Sequence, residues 1–169
     1  DLMQWLDIVA LGTICDSVPL TGLNRALAAQ GLKAMAARAN PGLTALSDVG
    51  RINERPTAYH AGFILGPRIN AGGRIGAPDL GVRLLTTTDA NEATSLAMKL
   101  DGLNAERQAI EKAVLDAALR AGEEQVGRNC LVLAGEGWHP GVIGIVASRV
   151  VERFNRPAFV IALQDGIGK

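Results

Sequence analysis

The chain has 169 residues, 48% hydrophobic and 20% charged, with 17 basic residues balanced by 17 acidic ones and only 4% aromatics. This length suits one compact domain or two small units with a connector, and the aliphatic-rich composition suits a helical or α/β protein better than a β-sandwich. Excluded are a uniformly basic nucleic-acid binder, a membrane-spanning helix, a secretory leader (DLMQWLDIV lacks a basic region), a disulfide framework and a zinc site, since Cys15 and Cys130 stand alone and His60 and His139 lie 79 positions apart.

Residues 2–13 read as a helix with Leu2, Trp5, Leu6 and Val9 at 3–4 spacing, ended before Pro19. The two cysteines sit in apolar runs and read as small core residues of a cytosolic protein. An alanine-rich helix follows over 23–38. Asn40-Pro41 supplies an N-cap and a proline at the first helical position, opening a short helix to about Val49. Thr57 caps another through Leu65, in which His60 reads as structural. The most glycine-dense run, LGPRINAGGRIGAPDLG, reads as a tight turn or a place where backbone approaches a ligand.

Asp89 with Glu92 begins a capping box, and Leu96, Leu100, Leu103, Ile110, Val114, Ala117 and Ala121 continue at helical spacing to a stop at Gly122. A helix over 89–121 would be about 50 Å long at ~1.5 Å per residue. Its narrow apolar stripe is typical of a connector. Last comes a β-α-β pattern: a buried strand at 130–134, a loop at 135–141, an amphipathic helix at 142–154 and a second strand at 156–163. The crossover predicts a parallel pair. An uncovered strand edge beside the apolar stripe predicts self-association.

Charge is unevenly placed. Residues 51–83 hold five arginines against two acids, residues 84–136 nine acids against five bases, and residues 137–169 four bases against two acids. Anion contacts gathered at one site would give this pattern, and so would ordinary surface charge.

Three runs carry candidate chemistry. Asp16, in GTICDSVPL, has apolar neighbours and no adjacent base; it is a carboxylate for a hard metal ion or a turn residue bonded to backbone N–H groups. Arg68, Asn70 and Arg74 bracket a glycine pair, which suits a phosphate grip or a solvated loop. Trp138 and His139, in GWHPG before a helix, suit base stacking and anion approach, or packing of the loop.

Together these runs resemble the RecJ family of single-stranded-DNA-specific exonucleases, in the DHH phosphoesterase superfamily. DIVALGTICDSVPL resembles that family's fourth metal-site motif, and GPRINAGGRIGAPDLGVRLLTT its arginine-and-glycine motif near the substrate phosphate. LDGLNAERQAIE is similar to its interdomain helix, and GWHPGVIGIVASRVVERFNRPAFVIA to the opening of the DHH-associated domain. The resemblance implies an α/β fold. Residues 1–88 would be the helical C-terminal part of the catalytic domain, 89–122 a linker helix, and 123–169 the N-terminal part of a β-α-β associated domain.

It also implies a cytoplasmic 5′→3′ exonuclease of DNA repair and recombination, using Mn²⁺ or Mg²⁺. Asp16 would ligate the metal and be catalytic, while Arg68, Asn70 and above all Arg74 would contact DNA phosphate. Trp138 and His139 would line the cleft between the domains and contact the nucleic acid. Two departures stand out: no Asp-His-His triplet is present, and the glycine- and serine-rich motif expected after GIGK is absent. The chain therefore reads as an internal fragment, inactive alone. The competing readings are a non-catalytic nucleic-acid-binding or scaffold segment, and an oligonucleotide or cyclic-dinucleotide phosphodiesterase.

Overall fold

The computed structural model describes residues 2–169; among them are seven α-helices and one three-stranded sheet. They fall into two compact units, residues up to Asn104 and residues from Ala105 onward. The division lies inside the longest helix, which contributes a half to each. Among the described residues, no helix is long and apolar enough to cross a membrane.

The first unit is helical. After a 3₁₀ turn at Leu2–Trp5 come α1 (Leu6–Cys15), α2 (Gly22–Ala36) and α3 (Pro41–Val49). The third begins as its sequence predicts: the Asn40 side-chain oxygen accepts from Leu43 N–H at 3.0 Å, with Pro41 in the first turn. The Asn40 amide also donates to Leu85 O at 3.1 Å, tying this cap to a later element. Leu46, Leu65, Leu84 and Leu100 are fully buried and form the centre of the core. Each such side chain is worth roughly 1.5–3 kcal/mol of transfer free energy.

The predicted apolar face of the first helix is corrected. Leu2, Trp5 and Val9 are exposed, while Asp7, Ala10 and Leu11 are buried. Helix α2 decides this: a Cβ at Gly31 would stand 2.0 Å from Leu6 O and 2.5 Å from Ala10 Cβ. Two backbones packed that closely require the small residue, so α1 turns its Ala10 side inward. The cysteines are only half-buried rather than core residues.

A second correction concerns the glycine-dense run, in which residues 66–75 are helix and only 76–79 form a turn. A π-helical segment at His60–Leu65 runs directly into α4 (Gly66–Ile75). Pro67 lies in the first turn, where its missing N–H costs nothing. Gly72 and Gly76 abut Leu100 and Leu103, so a Cβ there would crowd those side chains. Close packing outweighs the ~1 kcal/mol penalty per glycine in a helix. As the sequence predicts, Thr57 caps the segment, its hydroxyl accepting from His60 N–H at 3.4 Å.

Helices α5 (Leu80–Thr86) and α6 (Ala90–Glu123) follow. Half of the capping box forms: Asp89 accepts from Asn91 N–H at 2.7 Å and Glu92 N–H at 3.3 Å. Glu92 turns instead to the Thr87 hydroxyl (2.6 Å) and Arg83 (3.0 Å), and these contacts hold its carboxyl below the usual range, the hydroxyl bond most strongly. A lowered native pKa means that this tether is complete above the unfolded-state pKa and is lost as pH falls through the native one. Gly122 does not stop α6. It lies in the last turn, where a Cβ would meet the Phe154 ring at 2.7 Å.

In the second unit, β1 (Leu131–Glu136) pairs in parallel with β2 (Ala158–Gln164), from Leu131↔Ala158 to Glu136↔Leu163, and α7 (Ile143–Phe154) crosses between them. Leu131 and Leu133 point into a core with Val142, Val146, Val150 and the α6 residues Val114 and Ala118. Beyond the sequence expectation, a short β3 (Ile167–Gly168) returns antiparallel to β2 through Asp165-Gly166, both with positive φ.

The free edge of β1 is not fully open. The Gln125 carboxamide donates to Val132 O at 3.0 Å and accepts from Val132 N–H at 3.2 Å, mimicking a neighbouring strand. Gln125→Ala is therefore expected to cost about 1 kcal/mol and to promote edge-to-edge association. Urea titration and sedimentation velocity check the two effects.

Candidate functional site

Asp16 follows the last residue of α1, and Ser17, at φ 54°, turns the chain away. The Asp16 N–H donates to Gly12 O at 3.0 Å. Its carboxylate is exposed and, among the described residues, accepts no hydrogen bond, so the backbone-bonded turn is not formed. A carboxylate here faces the negative end of the helix dipole, and no basic residue occupies the last turn of α1. That surplus of negative potential suits a cation.

Asp16 lines a cleft of about 180 Å³ together with Ile8, Leu11, Cys15, Ile69 and Asn70. Two of the residues singled out in the sequence, Asp16 and Asn70, thus line one cleft although 54 positions separate them. Cys15 lies beside them. Burial, and secondarily the Asp16 charge, pushes its thiol pKa up, and Sγ donates to Ala61 O at 3.5 Å.

The helical form of 66–75 separates the two arginines. At about 100° per residue, Asn70 and Arg74 share one face, whereas Arg68 points elsewhere. Asn70, Gly73 and Arg74 are exposed on that face, and a Cβ at Gly73 would meet nothing within 4 Å. Arg68 instead donates from Nε to Asp101 at 2.8 Å and from a terminal nitrogen to Ile64 O at 2.8 Å, with its side chain 18% exposed. Nothing in the local sequence signals a partner 33 positions away. His60 is buried; its Nδ1 accepts from Thr57 N–H at 3.1 Å, and Nε2 lies 3.4 Å from Glu54.

Trp138 and His139 belong to the second unit, in the turn between β1 and α7. A Cβ at Gly135 would fall 2.2 Å from Trp138 Cε2, so the indole lies flat on the backbone of β1 and glycine is required beneath it. The loop-packing role of Trp138 is therefore realised. His139 Nδ1 accepts from Gly141 N–H at 3.0 Å, which leaves the proton of the neutral ring on Nε2.

No family model matches the chain. It is 42% identical over 174 residues to the single-stranded-DNA-specific exonuclease RecJ of Bacillus subtilis, covering 98% of this chain and 22% of that protein. The crystal structure of RecJ from Thermus thermophilus in complex with Mn²⁺ superposes with a TM-score of 0.87 at 40% identity, over 95% of this chain and 24% of that one. The Mg²⁺ complex from the same organism gives 0.82 at 38% identity, over 95% and 25%. The chain thus spans about a quarter of the length of the proteins it matches. Over nearly its whole length, in both sequence and structure, the chain is similar to a segment of the RecJ single-stranded-DNA-specific exonucleases.

Proposed function

We propose that this chain forms part of a cytoplasmic 5′→3′ exonuclease that hydrolyses phosphodiester bonds of single-stranded DNA during repair and recombination. Residues 1–88 are the C-terminal part of a DHH catalytic domain, 89–122 its linker helix, and 123–169 the start of the associated domain. The observation that carries the reading is Asp16, an exposed carboxylate at a helix C-terminus in the same cleft as Asn70.

Asp16 suits Mn²⁺ or Mg²⁺ as one hard oxygen ligand. Such an ion, when bound, activates water and offsets charge on the phosphate. Asn70 and Arg74, on one exposed helix face, hold the DNA phosphate, the guanidinium supplying paired donors. Arg68, engaged with Asp101, acts mainly by fixing α4 against α6 and only weakly as a phosphate contact. Trp138 and His139 contact the DNA from the second unit.

A non-catalytic, DNA-binding role for the isolated chain has one observation in its favour. Among the described residues, no group of three or more His, Cys, Asp or Glu could hold a metal ion. One carboxylate fills one or two of about six positions around Mn²⁺ or Mg²⁺, so the isolated chain should not bind either tightly. Calorimetry that found a stoichiometric micromolar site would contradict this. For the enzyme itself, a full-length RecJ protein carrying this segment should degrade oligonucleotides with an open 5′ end and spare those blocked there. Equal degradation of both would overturn the polarity.

A further inference from the structure

We infer that the second unit carries a pocket for a single nucleobase, built by Trp138 together with Gln164 and the β2–β3 turn. The cleft has a volume of about 200 Å³; its lining joins the apolar surfaces of Trp138, Pro140 and Ile167 to the polar Gln164, Asp165 and Lys169, over Ala162. It lies at the carboxyl ends of the parallel strands β1 and β2, where open α/β sheets receive their ligands. Gly135 and Ala162 are register partners, so the small residues of two adjacent strands make the floor on which the indole rests.

The polar rim is uncommitted. Among the described residues, neither the Trp138 indole N–H nor the Gln164 carboxamide has a hydrogen-bond partner. The Gln164 amide offers a donor and an acceptor side by side, the pattern needed to pair with the edge of a base. Aromatic and proline surfaces supply a wall for a flat ring. Asp165 and Lys169 bring opposite charges, so the lining is neutral as a whole and does not select a phosphate. A neutral, planar, hydrogen-bonding ring fits these demands better than an anion or an aliphatic chain. The Asp165-Gly166 turn fixes Gln164 and Lys169 at the rim, and the Lys169 backbone pairs with Ala162 in both directions at 3.0 Å.

The inference deepens the single-stranded-DNA reading, because unpaired bases are available to enter such a pocket. It is tested by tryptophan fluorescence on the whole chain. The sequence has two tryptophans, so Trp5→Phe leaves Trp138 as the sole reporter. Thymidine and adenosine should quench it saturably, whereas ribose 5-phosphate and inorganic phosphate should not. Gln164→Ala and Gln164→Met should each weaken nucleoside binding about tenfold with unchanged melting temperature.

No saturable quenching by either nucleoside, or an equal response to ribose 5-phosphate, would overturn the pocket. So would full affinity in both Gln164 variants. A full-length protein that degrades single-stranded DNA while this chain ignores nucleosides removes the pocket alone. Nucleoside binding without nuclease activity in that protein removes the functional reading and leaves the pocket standing.

Discussion

Replacing Asp16 by alanine in a full-length RecJ protein that carries this segment is expected to lower hydrolysis of single-stranded DNA by roughly 10²-fold or more. The fold should not suffer. Asp16 is exposed and, among the described residues, its carboxylate accepts no hydrogen bond, while its charge opposes the dipole of α1, a contact worth about 0.3–1 kcal/mol against the native state. Removing it should leave stability unchanged or raise it slightly. Lost activity with retained or increased stability is characteristic of a residue kept for function at the expense of packing. Steady-state rates and thermal melts on the same preparation measure both. A variant that kept a tenth or more of the parent rate would take Asp16 out of the metal site.

The second large effect separates the two arginines of the PRINAGGR run. Arg74→Ala should weaken single-stranded-DNA binding about tenfold and flatten its salt dependence by one phosphate contact, about 0.7 in the log–log slope. Arg68→Ala should act on stability instead. Its bond to Asp101 holds α4 to α6 and its bond to Ile64 O ties it to the preceding turn; their loss should cost about 1–2 kcal/mol with a smaller change in slope. Arg128, outside every motif, is the control. Equal binding losses from Arg74 and Arg128 would mean that only general charge matters.

The helix-based separation of Arg68 from Arg74 was not legible in the sequence. Glycine's poor intrinsic helix propensity makes GPRINAGGRIG look like a turn, and what overrides it is contact with Leu100 and Leu103, some 27 positions away. Long-range packing of this kind leaves no local trace. The inward face of α1 was obscure for a different reason. LDIVALGTIC is apolar almost throughout, so it has no contrast for a periodicity to show, and the close approach at Gly31 sets the face.

Other elements carry their own signals. Asn40-Pro41 encodes its cap in two residues, and the β-α-β unit is readable because Leu131 and Leu133 alternate with exposed neighbours while α7 is strongly amphipathic. The β2–β3 hairpin was not foreseen, although Asp-Gly is a hairpin turn signal and both residues take the positive φ it demands. The candidate site divides in the same way. Asp16, Asn70 and Arg74 stand out by residue type and motif, whereas the shared cleft of Asp16 and Asn70 and the pairing of Arg68 with Asp101 exist only in the folded chain.

The central claim is that this segment supplies one metal ligand and phosphate contacts to an exonuclease without completing its site. It is tested most directly by assaying residues 1–169 and a full-length RecJ protein that carries them, side by side with Mn²⁺ on a 5′-labelled single-stranded oligonucleotide. Release of labelled nucleotide by the full-length protein and none by the isolated chain is the predicted result. Metal-dependent release by the isolated chain, or none by either protein, would contradict it.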